Sequence, residues 1–187
     1  MKSVSESIAY LSILLISIIL ISLALYWAIP WFQKTTDEQK IIKYFDECCN
    51  DRNSQSLVSI LKESLYQQTE KQFYTSIEGT WDFYPDYITL RFISKVQYFY
   101  PENTWIFIDG CGKNVCEFGK EKFFDIHAMS RKVDSAYEII FKITLKTIVS
   151  DGKTYEIKII NPKSNLKSKN FIFSTTIGDN AYEIKII

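Results

Sequence analysis

The sequence predicts an α+β protein: an N-terminal transmembrane helix, two further helices and a predominantly antiparallel, sandwich-like β domain. Three observations lead to this prediction. An uncharged apolar run lies near the start of the chain, helix-period patterns follow it, and after Trp81 the hydrophobic period changes to two. The corresponding regions are residues 1–33, a helical connecting region at 34–78 and a β domain at 79–187.

The first region contains no charged side chain between Glu6 and Lys34. Its apolar core, about residues 8–29, is long enough to span a membrane, because about 20 helical residues cover the roughly 30 Å of hydrocarbon. Tyr26, Trp27 and Trp31 suit the membrane interface. We therefore expect a single-pass protein whose first partner is a lipid bilayer. Pro30 is expected to end or kink the helix.

A cleaved secretion signal is the alternative interpretation of this segment. Ser22-Leu23-Ala24 satisfies the small-x-small rule for cleavage before Leu25. The apolar region is longer than usual for a signal, and cleavage there leaves an exposed apolar start. We therefore favour the membrane span.

Residues before the apolar run carry a short motif, Lys2-Ser3-Val4-Ser5-Glu6-Ser7-Ile8. This segment resembles the start of archaeal type IV pilin-like precursors, in which a basic and a small residue precede a Val-Ser-Glu-like segment. The resemblance implies cleavage between Ser3 and Val4, an extracytoplasmic β domain and helices that pack side by side in a filament. Archaellum accessory proteins, which stay uncleaved with a β-sandwich behind a similar helix, are the alternative relatives.

The connecting region shows two helical stripes, which we expect to pack on the sheet. Ile41, Ile42, Phe45 and Cys49 recur at three- and four-residue steps, and so do the residues of a second stripe, Leu57, Ile60, Leu61 and Leu65. A turn at residues 50–53 separates the two predicted helices.

Strand patterns dominate the rest of the chain. Alternation from Ile88 to Tyr100 predicts one long strand, and residues 139–145 predict another. Asp151-Gly152 predicts a hairpin turn, and a second hairpin is predicted around residues 178–180.

One six-residue sequence occurs twice, at Tyr155–Ile160 and Tyr182–Ile187, each time as the second strand of a predicted hairpin. Equal burial of two strands explains the repeat. The C-terminal copy is also a candidate edge strand for self-association with a neighbouring subunit.

Four cysteines, Cys48, Cys49, Cys111 and Cys116, are the candidate disulfide residues. Disulfides are favoured on an extracytoplasmic domain. The sequence leaves two pairings open: Cys111 with Cys116 in a closed loop, or cross-links between the adjacent pair and the loop pair. Zero spacing between Cys48 and Cys49 argues against a zinc site.

No catalytic, cofactor-binding or metal-binding motif is found, and we expect no enzyme activity and no cofactor. His127 is the only histidine, and an ordinary strand position is expected for it; Asp82 and Asp86 are expected in turns. Lys plus Arg and Asp plus Glu number 22 each, and without a basic cluster nucleic acid is not expected as a partner.

Overall fold

The computed structural model describes residues 2–117, 122–150 and 152–187, with side chains from Tyr10 onward. The chain forms two compact units, Met1–Gln39 and Lys40–Ile187. The first unit is helical, and the second holds the rest of the helices and all the described strands.

Helix α1 spans Lys2–Cys49 and contains Pro30. The prediction of a separate helix from residue 37 is therefore wrong, and the described residues form two helices instead of three. Proline removes one backbone hydrogen bond of a helix, and its ring crowds the carbonyl four residues earlier. The helix nevertheless continues past Pro30, and no glycine follows before Cys49.

The apolar part of α1 is long and apolar enough to cross a membrane, with a mean hydropathy of 2.5 over its best window. Its large side chains are solvent-exposed, from Tyr10 at 75% to Phe32 at 61%. Secretion signals share this combination of length and composition.

Within the second unit, α1 buries Ile41, Tyr44, Cys48 and Cys49 in the core. Ile42, predicted on the buried stripe, is 54% exposed. The buried stripe differs from the predicted one because Ile41, Tyr44 and Cys48 lie on a narrower side of the helix than Ile41, Ile42 and Phe45 do.

Helix α2, Leu57–Gln67, begins at the N-cap Ser56, whose side chain accepts a hydrogen bond from the Ser59 N–H. Its apolar stripe is buried as predicted at Leu57, Leu61 and Leu65. The Ser64 and Thr175 hydroxyls, 2.7 Å apart, connect α2 to a buried position of the sheet.

Twelve strands make up the β structure of the described residues. Their bounds are β1 Lys71–Tyr74, β2 Thr80–Phe83, β3 Tyr87–Ser94, β4 Ile106–Gly110, β5 Val115–Glu117, β6 Phe124–Val133, β7 Ala136–Leu145, β8 Thr147–Ser150, β9 Lys153–Ile159, β10 Lys163–Leu166, β11 Asn170–Ile177 and β12 Ala181–Ile186. The first sheet has the order β1-β11-β12-β9-β8-β5 and the second the order β10-β2-β3-β7-β6-β4. Strand β1 lies inside the range that was predicted to be helical.

The two sheets pack against each other through aromatic rings. Trp81 and Phe83 of the second sheet contact Phe73, Phe171 and Phe173 of the first at ring-centroid distances of 5.3 to 5.9 Å. Most strand pairs are antiparallel, as predicted, but β12–β9 and β5–β8 are parallel, so the first sheet is mixed.

The repeated sequences form the parallel pair β9–β12, two residues out of step, with Tyr182 beside Ile157. Each copy ends a hairpin, as predicted. Between the hairpins the chain leaves for the second sheet as β10, and this crossover makes the copies parallel. Strand β12 therefore lies between β11 and β9, and the prediction that it is an edge strand is wrong.

Two strand predictions also need correction. Strand β3 ends at Ser94 rather than at Tyr100. The alternation of buried and exposed residues continues as far as Ser94, which is buried, but Tyr98, predicted on the same face, is exposed. The hairpin that contains Gly152 joins β9 to β8, and residues 139–145 belong to β7 of the other sheet. Asp151, which was predicted in this turn, lies outside the described residues. The buried side chain near the end of β7 is the odd-numbered Leu145, whereas in β8 it is the even-numbered Ile148. This change marks the point where the chain passes from the second sheet to the first.

Candidate functional site

The outer face of the second sheet carries its charged and aromatic side chains in registered rows. One row crosses five strands, with Asp82 beside Thr89, Thr89 beside Lys142, Lys142 beside His127 and His127 beside Phe107. Residues opposite each other in antiparallel strands project to the same side. The row is therefore a continuous surface on a rigid sheet.

Asp82 is the centre of an ion-pair network on this face. The residue is 3% exposed, and its carboxylate lies 2.9 Å from Arg91 Nη2 and accepts hydrogen bonds from Arg91 Nε and the Asn165 N–H. Arg91 Nη1 also lies 4.0 Å from Glu138, which pairs with Arg131. The network joins five strands, β2, β3, β7, β6 and, through Asn165, β10.

Asp82 was expected to be a turn residue, and that prediction is wrong. It lies within β2, directly beside Thr89 of β3. Sequence reasoning missed it because its partner Arg91 is nine residues away across a turn, and only strand register brings the two together.

A cleft of about 380 Å³ lies beside this network, with Met129 and Ile140 among its lining residues. Lys142 Nζ lies 4.4 Å from the ring centroid of Tyr87 and 5.9 Å from that of Trp105. A cation over aromatic faces is stabilised by the ring quadrupole. Within the described residues Lys142 has no carboxylate at ion-pair distance, so its charge is available to a ligand.

Tyrosine and histidine side chains on this face have shifted pKa values. Burial raises the pKa of Tyr87, and Tyr84, stacked on it at 4.4 Å, adds to the shift. Burial lowers the pKa of His127, and the charges of Lys142 and Lys146 lower it further against the opposing effect of Asp125. His127 lies on β6 as a strand residue, with its ring 5.5 Å from Phe107.

A second, larger cleft of about 670 Å³ adjoins the network at Arg91. Lys40, Lys167 and Lys169 supply its other cations, and Glu78 and Glu138 its carboxylates. Two of these lysines belong to the connection between β10 and β11, so their positions are less constrained than that of Lys142.

The outer face of the first sheet holds a cleft of opposite charge, about 420 Å³ in volume. Glu156, Asp179 and Glu183 line it together with a single cation, Lys158. Lys158 pairs with Glu156. Among the described side chains, Asp179 and Glu183 have no cation within ion-pair distance.

The predicted disulfide residues all form bonds within their own sequence neighbourhood. Cys111 is bonded to Cys116, with a Cα–Cα distance of 6.2 Å, and Cys48 is bonded to Cys49. Of the two pairings left open by the sequence, the closed loop is the one observed. The loop is also held by a hydrogen bond from the Gly112 N–H to Asp125.

The predicted processing site at Ser3 and Val4 lies in the first turn of α1. Their side chains fall outside those that the structure describes, so cleavage stays a prediction. Among the described residues, no three His, Cys, Asp or Glu side chains converge as metal ligands.

Comparison with known proteins gives no relative from which a function can be transferred: no family model, no curated protein and no solved structure matches the chain significantly.

Proposed function

We propose that the chain is a membrane-anchored cell-surface structural protein, a pilin-like subunit or minor component of a type IV pilus-like filament. The observation that carries the proposal is the length of α1, which begins at Lys2 and ends at Cys49. One helix thus supplies an exposed apolar segment and, at Ile41, Tyr44 and Cys48, a stripe in the β core.

This plan matches the simple helix-then-sheet arrangement expected of a pilin. Residues 37–49, which were predicted to form a separate helix, belong to α1 itself. Only α2, with 11 residues, stands between α1 and the strands. The N-terminal motif Lys2 to Ile8 supports the same assignment.

Disulfide bonding supports an extracytoplasmic β domain. All four cysteines are paired, and Cys48, Cys49 and Cys116 are buried. Disulfides persist in oxidising compartments and are rare in the cytosol. The proposed topology is therefore a single pass with the second unit outside.

An exposed apolar groove gives further support for assembly. Ile42 and Tyr98 contribute to a groove of about 300 Å³ in the second unit. Apolar patches rimmed by polar residues are typical of protein contact sites. A neighbouring subunit is the proposed occupant.

The test is the N-terminus of the mature protein, determined by mass spectrometry of membrane and sheared surface fractions from the native host. A mature protein that starts at Val4 and appears in the sheared fraction supports the filament subunit. An intact Met1 in membranes alone rejects it, and a start at Leu25 rejects the anchor as well.

A permanently anchored binding module is the alternative proposal. The observation in its favour is the outer face of the second sheet, where Lys142, Tyr87 and Trp105 border a cleft of the size of a ligand site. An intact Met1 combined with retention in membranes favours this alternative.

A further inference from the structure

We infer that the Lys142 cleft on the second sheet of one copy binds the acidic cleft of a second copy, at Asp179 in the β11–β12 turn and Glu183 in β12 of its first sheet. This inference deepens the proposed filament function by naming a contact between subunits. It is carried by the opposite charge of two clefts on different sheets of the same unit.

The formal charges of the two clefts are opposite. Arg91, Arg131 and Lys142 carry three positive charges, and Asp82 and the adjoining Glu138 carry two negative ones, so the second-sheet cleft has a net charge of +1. The first-sheet cleft has three carboxylates and Lys158, a net of −2. Opposite potentials on two surfaces steer their association and fix its register.

The charges that lack partners are the ones that would meet. Arg91 and Arg131 already pair with Asp82 and Glu138 on their own sheet, which leaves Lys142. On the first sheet Lys158 neutralises Glu156, which leaves Asp179 and Glu183. A contact between Lys142 and these two carboxylates therefore adds ion pairs without breaking existing ones.

Both partners are held by the fold. Lys142 lies on a central strand, bonded on both sides, with its amine over the rings of Tyr87 and Trp105. Asp179 lies in the short turn between β11 and β12, closed by a hydrogen bond from the Gly178 N–H to the Ala181 carbonyl. Preorganised groups lose less entropy on binding.

The two clefts cannot satisfy each other within one molecule. The sheets share one core through their inner faces, so their outer faces point away from each other. A contact between unlike surfaces of identical copies is heterologous, and it propagates into a ring or an open filament. This property is what a filament subunit requires.

The experiment compares association of the full-length protein in detergent by analytical ultracentrifugation at low and high salt. The wild-type chain is expected to associate more strongly at about 50 mM than at about 500 mM salt, because screening weakens exposed ion pairs. Lys142→Glu and Glu183→Lys are each expected to weaken this salt-dependent association about tenfold, with a further contribution from Asp179→Lys.

Rescue is the decisive arm. A chain with both Lys142→Glu and Glu183→Lys pairs the new glutamate with the new lysine but leaves Asp179 facing that glutamate, so association is expected to recover in part. Adding Asp179→Lys reverses the whole contact, and association is expected to return to near the wild-type level. The matched control is Lys169→Glu, which makes the same charge change in the other basic cleft and is expected to leave association unchanged.

Three results overturn the inference: wild-type association without salt dependence, failure of the double variant to recover, or an equal loss with Lys169→Glu. Failure here is distinguishable from failure of the proposed function. A mature Val4 terminus with no rescue removes this contact but keeps the filament subunit, whereas rescue with an intact Met1 keeps the contact between anchored copies.

Discussion

The outer faces of the two sheets follow the same alternation of buried and exposed residues, yet their charges play different structural roles. On the first sheet, Lys158 and Glu156 form an ion pair with both side chains more than half exposed, at 54% and 56%. On the second sheet, Asp82 is 4% exposed by side chain beside Arg91 at 33%. The ion pair of the first sheet is therefore solvent-exposed, whereas the carboxylate of the second-sheet pair is buried within the fold.

The largest expected effect on stability comes from the core in which the inner faces of the two sheets pack against each other. Phe173→Ala removes a fully buried ring that contacts Phe83 and Phe171, and we expect a loss of about 3 to 5 kcal/mol in the free energy of unfolding. The control is Ile172→Ala on the outer face of the same strand, expected to cost at most about 1 kcal/mol. Chemical denaturation followed by circular dichroism measures both, and equal losses would mean that the inner and outer faces are wrongly assigned.

The ion pairs test the comparison directly. Asp82→Ala is expected to destabilise the second unit by about 1 to 3 kcal/mol, since Arg91 and the Asn165 N–H lose their acceptor. Glu156→Ala removes the exposed pair of the first sheet and is expected to cost less than about 1 kcal/mol. Similar values for the two variants in denaturant titrations would contradict the proposed difference between the faces.

Acid sensitivity probes the connection between the sheets. Glu47 of α1 accepts hydrogen bonds from Thr75 Oγ1 and the Ser76 N–H, in the loop that leads from β1 to β2. Burial alone would raise the pKa of Glu47, but these hydrogen bonds and Lys43 hold it below its usual value of 4.5.

A lowered folded-state pKa means that the carboxylate stabilises the fold above pH 4.5 and that this contribution is lost as pH falls through the folded pKa. Glu47→Gln is therefore expected to be less stable than wild type by about 1 to 3 kcal/mol at pH 7, with the difference shrinking toward about pH 3. Unfolding titrations across this range measure it, and a difference independent of pH would contradict the assigned role.

The smallest expected effect is the difference in stability between glycine substitutions in the two hairpin turns of the first sheet. Gly152 has φ +75°, which an L side chain rarely adopts, so Gly152→Ala is expected to cost about 1 kcal/mol. Gly178 lies outside the left-handed region and has ordinary contacts, so Gly178→Ala is expected to change stability by a few tenths of a kcal/mol. Thermal unfolding of the two variants compares them, and equal shifts would argue against the strained turn at 152.

The hairpins illustrate how far sequence reasoning reached. The hairpins that end in β9 and in β12 were predicted correctly, because turn chemistry is local, although Asp151 of the first turn lies outside the described residues. The strand partner was also predicted correctly for the second hairpin, but for the first hairpin residues 139–145 were expected where β8 is found. Leu145 and Ile148 are three residues apart and lie in different sheets. The only sign of this change of sheet in the sequence is that the buried positions switch from odd to even numbers between them.

The candidate site was almost entirely missed. Asp82, Arg91 and Lys142 are ordinary residues in sequence, and their roles depend on register across three strands. The cysteines were found because their chemistry is specific to the residue type, but the pairing of Cys111 with Cys116 needed the folded loop.

From the sequence alone it was possible to predict the exposed apolar helix, the stripe of α2, the alternation of the strands and the hairpin turn at residues 178–180. These features depend on hydrophobic period and local backbone preference, which act over a few residues. The tertiary structure alone decided that α1 runs to Cys49, that the repeated strands lie parallel and that Asp82 is buried beside Arg91. Such outcomes depend on contacts between distant segments, and a hydrophobic pattern specifies which face is buried without specifying what covers it.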